Sequence, residues 1–383
     1  MMPAVLRVLL VEDNRLDAML VARLVEQSST ESFVLEQADN LAAGIARLDR
    51  GDIDVVLLDL NLPDSVGLDT LCQLLPRATH VPVVVLTRLA ELDTSREALR
   101  RGAEDYLFKD DLTAELVRRT LCHSVERFRT RQSLIALRRM NDELALARKI
   151  QEGLLPRGPL SYGGLEAGGC CLSAEATGGD FYDYLAMPDG TLGVAIGDAS
   201  GHGLSSALVA AMAQASLRTM TLMRQPVDLV EMLAACNHLL CEQTADERFV
   251  TLLLASIVPA PRLLLYANAG HPPGAVISAE GKLKALLPST DVPLGILQHA
   301  SFPLGEVATL TAGDLVLFAT DGVVEAMAPN RELFGMRRII EVAAGRRGQP
   351  PEEIAAAICQ ASRDYREGEP QLDDITALAV KVL

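Results

Sequence analysis

The chain has 383 residues, 49% hydrophobic and 4% aromatic with no tryptophan, and a formal charge of −16. That length holds two or three domains with aliphatic cores and excludes a disordered or fibrous chain. The acidic balance, with no Lys/Arg run interleaved with aromatics, argues against a nucleic-acid partner, and no apolar run reaches the ~18 residues of a membrane span.

The opening "VLRVLLVEDN" is too short an apolar run for a secretory segment, so a soluble, cytoplasmic protein with no membrane partner is expected. Seven cysteines without C-x-x-C spacing read as buried free thiols.

From Arg7 to about Arg119 the runs "RVLLVED", "FVLEQA", "DVVLLDL", "VPVVVLT" and "EDYLFK" alternate with helical spacing. This rhythm predicts a doubly wound α/β domain with a five-stranded parallel sheet, flavodoxin-like. In such a sheet, polar residues just past the strand ends meet along one edge. Glu12, Asp13, Asp59, Thr87 and Lys109 occupy those positions. Three carboxylates repel unless a cation sits among them, so one Mg²⁺ is the natural occupant, with Lys109 offsetting the charge of an incoming anion. The arrangement suits phosphoryl acceptance.

These residues resemble the receiver domain of two-component response regulators over residues 1–120. The resemblance implies Asp59 as phosphoacceptor, Glu12 and Asp13 holding Mg²⁺ with Asp59, Lys109 contacting the phosphoryl group, and Thr87 with Tyr106 as the conformational switch. It also implies a sensor histidine kinase or phosphotransfer protein as partner. Receivers usually carry Pro after the lysine; here Asp110 follows Lys109, which opens the shape of the next loop to question.

Residues 121–158 form a predicted helical linker. From about Thr113 to Leu155 no Gly precedes Gly153, and Leu137, Met140, Leu144, Ala147, Gln151 and Leu154 recur at 3,4 spacing. A different register upstream breaks the heptad near residue 135, so the helix is continuous or kinked. Its seam suits a dimeric coiled coil or packing on its own domains. "PRGPLSYGG" then ends the helix.

Residues 159–383 read as a separate α+β domain. The runs "LGVAIGD", "FVTLLLASIV", "RLLLYANAG", "DLVLFATDG" and "ITALAVKVL" suit strands, and Ser205–Met223 and Val227–Gln243 suit helices. The stretch "GDASGHG" lacks the G-K-[ST] of a P-loop, the G-x-G-x-x-G of a dinucleotide site and the G-x-S-x-G of a nucleophile elbow. Asp189–Gly190 predicts a hairpin that brings Asp180 to within about a residue of opposite Asp198. Asp321 ends another strand, and Asp373 and Asp374 precede the last, so all can share one rim. Such an all-oxygen site favours Mg²⁺ or Mn²⁺. Two ions about 3.5–4 Å apart would activate water for in-line attack on a phosphate ester. Gly201–Gly203 is expected to open a helix near Leu204.

The motifs "TGGDFYD", "GDASGHG", "NAGHPP", "FATDGVVEA" and "LDDITALAV" resemble, in order, the SpoIIE/RsbU-like branch of the metal-dependent (type-2C) Ser/Thr protein phosphatases. The resemblance implies a β-sandwich flanked by helices, with Asp180, Asp198, Asp321, Asp373 and the Ala199 carbonyl as ligands of two ions. Asp374 is the open member of its pair, and no counterpart of the phosphate-binding arginine of eukaryotic relatives stands out. His202 and His271 are each either structural or a proton donor to the leaving group. "ARKIQEGLLP" looks like the segment that transmits a regulatory domain's state in this branch, often through a homodimer. The implied function is a receiver-controlled phosphatase acting on a phosphorylated STAS-domain anti-sigma-factor antagonist. The alternative is a non-enzymatic adaptor that binds a partner through a pseudophosphatase domain.

Overall fold

The computed structural model describes residues 5–27, 32–88, 92–222, 228–244 and 248–383. The chain divides into two compact units, Met1–Met140 and Asn141–Leu383.

In the first unit β1 (Val5–Val11), α1 (Arg15–Glu26), β2 (Ser32–Ala38), α2 (Leu41–Leu48) and β3 (Val55–Asp59) are followed by the small β4 (Asn61–Leu62) and β5 (Ser65–Val66). Then come α3 (Leu68–Leu74), β6 (Val83–Thr87), α4 (Leu92–Arg101), β7 (Asp105–Phe108) and the start of α5 (Ala114–Glu152). The main sheet is parallel, in the order β2-β1-β3-β6-β7. Alternation along β1 feeds two cores: Leu6, Val8 and Leu10 pack with Ala18, Val21, Val117 and Leu121, whereas Leu9 and Val11 pack with Leu41, Leu71 and Leu74. Both faces are covered by helices, which is why these strands read as unbroken apolar runs.

Helix α5 runs unbroken through residue 135 for 39 residues. The heptad shift does not interrupt its backbone. Leu137, Met140, Leu146 and Ile150 on it are exposed.

The second unit comprises β8 (Leu160–Tyr162), β9 (Leu165–Leu172), β10 (Asp180–Ala186), β11 (Leu192–Ala199), α6 (Leu204–Thr221), α7 (Leu229–Gln243), β12 (Val250–Val258) and β13 (Leu263–Ala269). It continues with β14 (Gly274–Ile277), β15 (Leu283–Leu287), β16 (Ala308–Thr309), β17 (Leu315–Ala319), α8 (Asp321–Val324), α9 (Gly335–Gly345), α10 (Pro351–Tyr365) and β18 (Ile375–Val382). Two sheets, β10-β11-β12-β13-β16 and β15-β14-β17-β18-β9-β8, face each other. Tyr182, Val194, Ile196 and Leu253 of the first meet Val316, Phe318, Leu378 and Val380 of the second between them. The alternate residues point outward, Phe181 and Leu254 onto α6 and α7, and Leu317 and Ala379 onto α9 and α10. This is a β-sandwich flanked by helices.

All five strand runs expected for this unit form, and the hairpin turns at Asp189–Gly190, where Gly190 has φ 83°. The ends expected at Met223 and Val227 lie outside the described residues. Three helices, the short α8 and the longer α9 and α10, escape the sequence reading. Pro351 at the start of α10 and Glu352 and Glu353 in its first turn were the available signals. Among the described residues no helix is long and apolar enough to cross a membrane. The seven cysteines are all free, but the expectation of burial holds in full only at Cys122, Cys236 and Cys359; Cys170, Cys171 and Cys241 are half-buried, and Cys72 is exposed and accepts from Arg101 Nη1 at 3.5 Å.

Candidate functional site

In the first unit the parallel sheet delivers its strand-end residues to one edge as expected. Glu12, Asp13 and Asp59 each bring a carboxylate oxygen within 4.8 Å of the others. Lys109 Nζ lies 2.6 Å from Glu12, 2.8 Å from Asp59 and 3.1 Å from Asp17. Glu12 is fully buried, and burial, with repulsion from Asp59, raises its pKa despite the Lys109 contact. Burial pulls the Lys109 ammonium the other way, yet its bonds to Asp59 and Glu12 win and hold it above the usual lysine range. A cavity of about 290 Å³ opens over these groups. The carboxylate donors are hard oxygens in excess of the one ammonium, which fits a Mg²⁺ ion.

Thr87 is buried at the end of β6, opposite Phe108 in the ladder, and Tyr106 stacks edge-on against Phe108 at 5.2 Å. The residue after Lys109 causes no irregularity: Lys109–Asp111 form a single 3₁₀ turn and Leu112 leaves it extended. Asp17 is the addition sequence reasoning missed. It sits in the first turn of α1, and only the tertiary fold brings its carboxylate to Lys109, 92 residues away in the turn after β7.

In the second unit Asp180 and Asp198 are direct ladder partners across the β10–β11 hairpin. Asp180 is 3% exposed and accepts from Thr320 Oγ1 at 2.8 Å, which ties β10 to the end of β17. Burial, then repulsion from Asp198 and Asp374, pushes the Asp180 pKa well up. Asp198 is raised to about 7 by burial and by Asp321, Asp373 and Asp374. Burial also raises Asp321, and burial with repulsion from Asp321 raises Asp373. The four acids therefore sense one another at one rim, and none of them makes an ion pair among the described residues. Only Glu12, Asp13 and Asp59 bring three oxygens within 4.8 Å there, so the second rim is a looser cluster. Carboxylates held in excess without a counter-cation are a donor set that fits hard divalent ions.

Asp374 resolves differently from its neighbour. It is 7% exposed, and its carboxylate accepts from the backbone N–H of Ala174 at 2.8 Å, Gly179 at 2.7 Å and Asp180 at 3.3 Å. Asp373 is exposed at the rim. Gly178 and Gly179 are glycines because the chain here has no room for a Cβ: one at Gly178 would overlap the Asp374 carboxylate, and one at Gly179 the Ala199 carbonyl oxygen. That contact places the Ala199 carbonyl at the same rim.

The histidines separate. His202 is exposed, 3.4 Å from Glu175. His271 is 2% exposed, bonded through Nδ1 to Thr251 Oγ1 at 2.9 Å, and burial lowers its pKa to about 3. Since Thr251 is the ladder partner of Asp198, His271 buttresses the strand beside the rim as a neutral imidazole. Two further features were invisible in the sequence. Asp183, fully buried, accepts from Arg218 Nε at 2.5 Å and Nη2 at 2.8 Å. Arg248 donates to the Ser200 carbonyl at 2.9 Å and to Ser205 Oγ at 3.0 Å, bracing the loop after Asp198.

Comparison with known proteins agrees with the fold of the two units. Residues 8–120 match the response regulator receiver domain, and residues 188–383 match the family Stage II sporulation protein E (SpoIIE). Protein IcfG of Synechocystis sp. is 27% identical over 263 residues, 62% of this chain and 41% of that protein. Phosphoserine phosphatase RsbP of Bacillus subtilis is 30% identical over 188 residues, 49% of this chain and 46% of that protein. The chain thus spans less than half the length of these relatives. In fold, the SiaA-PP2C domain of Pseudomonas aeruginosa covers 64% of this chain and 98% of its own, with a TM-score of 0.55 at 22% identity. The PP2C phosphatase domain with a regulatory fragment of SpoIIE from Bacillus subtilis covers 57% and 63%, with a TM-score of 0.50 at 20% identity. The chain belongs to the stage II sporulation protein E family and carries a response regulator receiver domain ahead of the family's own domain.

Proposed function

We propose that this protein is a receiver-controlled, metal-dependent phosphatase that hydrolyses phosphoserine or phosphothreonine on a protein. The observation that carries the reading is the Asp180–Asp198 ladder pair with Asp321 and Asp373 on the same rim, four acids with raised pKa and no cation paired to them. Asp180, Asp198, Asp321, Asp373 and the Ala199 carbonyl hold two Mg²⁺ or Mn²⁺ ions. When bound, such ions supply Lewis acidity and a water activated at neutral pH. Thr320 orients Asp180 by donating to one of its oxygens, leaving the rest of that carboxylate for the cation.

Asp59 accepts a phosphoryl group from a sensor histidine kinase or phosphotransfer protein, with Glu12 and Asp13 holding one Mg²⁺ beside it. Thr87 and Tyr106 respond to that charge, and the linker at 121–158 carries the response from the receiver at 1–120 to the catalytic domain at 159–383. The exposed apolar residues Leu137, Met140, Leu146 and Ile150 of α5 support a homodimer through the linker. A phosphorylated STAS-domain anti-sigma-factor antagonist in the cytoplasm is the substrate; the resemblance to the SpoIIE/RsbU branch and the RsbP match support this choice.

The test is Mn²⁺- or Mg²⁺-dependent phosphate release from a phosphothreonine peptide, comparing the chain with Asp321→Ala, each with and without beryllofluoride. Metal-dependent release lost in the variant supports the phosphatase. Absence of release under every condition supports the adaptor instead.

A further inference from the structure

The last turn of α5 grips the loop that carries Asp180. Gln151 Nε2 donates to the Gly178 carbonyl at 2.5 Å, and the Gly178 N–H donates back to Gln151 Oε1 at 3.1 Å. A primary amide thus matches both backbone groups of one residue, as a strand partner would. One turn on, the Leu154 carbonyl accepts from Gln214 Nε2 at 2.9 Å and Arg218 Nη2 at 3.5 Å, both from α6. Leu155 then packs into the cores on both faces of the β10 sheet. The end of α5 is fastened at three points inside the second unit.

The Gly178–Asp180 segment is held from two sides. Asp374 takes its N–H groups at Gly179 and Asp180, while Gln151 takes both polar groups of Gly178. Asp374 belongs to the sandwich and moves only with it. Gln151 belongs to a helix whose upstream turns carry exposed apolar side chains, so its grip is the one of the two that continues into the linker. Groups that orient a metal ligand from behind tune metal affinity although they never touch the ion.

We propose that Gln151 is a positioning residue for the metal site: its amide sets the backbone of Gly178–Asp180, and with it the direction in which the Asp180 carboxylate meets a divalent cation. This rests on the reading of Asp180 as a metal ligand. Its consequence is that the register of the last turn of α5, set upstream, is read out as metal affinity.

Gln151→Met keeps length, helix propensity and packing but removes both amide bonds. A cavity of about 250 Å³ lined by Gln151, Asp180, Arg148 and Arg363 lies beside the clamp, so water can replace the lost partners and the variant stays folded. Mn²⁺ binding to the full chain is measured by calorimetry, with metal-free melting as the fold control and Arg148→Gln, one turn earlier and paired among the described residues with Glu152, as the helix control. Sites in the two units are separated by repeating the titration in an Asp59→Asn background. The expected result is a loss of about 10- to 100-fold in Mn²⁺ affinity in Gln151→Met, unchanged affinity in Arg148→Gln, and a turnover number recovered at saturating Mn²⁺. Wild-type affinity in Gln151→Met, or an equal loss in Arg148→Gln, overturns the proposal. If the chain binds Mn²⁺ but turns over no phosphopeptide, the phosphatase reading fails while the clamp is still decided by the affinities.

Discussion

Asp180 and Asp198 stand directly opposite each other on adjacent strands, and the nearest group that donates to Asp180 is a neutral hydroxyl, Thr320, at 2.8 Å. A hairpin ladder brings facing Cα atoms to about 4.5–5.5 Å. Folding without metal therefore forces two carboxylates together in a poorly solvated place. The site is built at a cost that a bound proton or a cation removes.

That cost has a sign in pH. The Asp198 pKa is raised to about 7, so the folded chain holds protons that the unfolded chain has released. The stability this contributes is complete below the ordinary carboxylate range and is lost as pH rises through about 7. In EDTA, wild type should lose on the order of 3 kcal/mol relative to Asp198→Asn between pH 4 and pH 8. Urea melts at the two pH values measure it, and Mn²⁺ should cancel the loss in wild type alone. A difference that stays flat with pH contradicts the assignment.

Gly178 tests the close approach. Gly178→Ala places a methyl group in the Asp374 carboxylate and should cost more than about 2 kcal/mol. Gly345→Ala at the end of α9, where a Cβ meets nothing within 4 Å, should change stability by less than about 1 kcal/mol. Thermal melts of the pair decide; equal effects would mean that the loop yields.

Arg218→Ala leaves Asp183 buried with two neutral donors, the Tyr184 N–H at 2.8 Å and Gln214 Nε2 at 3.2 Å. Because the arginine is itself half-exposed, a loss of about 2 kcal/mol is expected rather than the full penalty for an orphaned charge. Asp183→Asn in the same background should recover part of it. Failure of that second change to help would show that Arg218 acts through its bond to Leu154 instead.

Lys109→Ala removes the cation shared by Glu12, Asp17 and Asp59. Two of those acids are buried, so the metal-free receiver should lose about 3 kcal/mol. Mg²⁺ should restore more stability to the variant than to wild type, read as a larger shift in melting temperature. An equal Mg²⁺ shift in both would mean that ion and ammonium do not share these carboxylates.

The sequence by itself determined the features that depend on short periods. Unbroken apolar runs marked the two-sided parallel sheet, and the polar residues closing them, Glu12, Asp59, Thr87 and Lys109, had to meet at one edge. Asp189–Gly190 determined a turn, and counting back from it put Asp180 within about a residue of opposite Asp198. Tertiary structure alone decided how distant segments share this rim. The two acids Asp373 and Asp374 are identical in type and adjacent, yet one faces the rim and the other holds the N–H of Gly179, 195 residues away. Gln151 reads in sequence as a seam residue of a helix, and only the fold sets its amide against Gly178. Pairings of this kind follow from the packing of β9, β10, β18 and α5 against one another, which no local pattern encodes. A period of two or of 3.6 says which way a side chain points, and the assembled layers decide what it meets there.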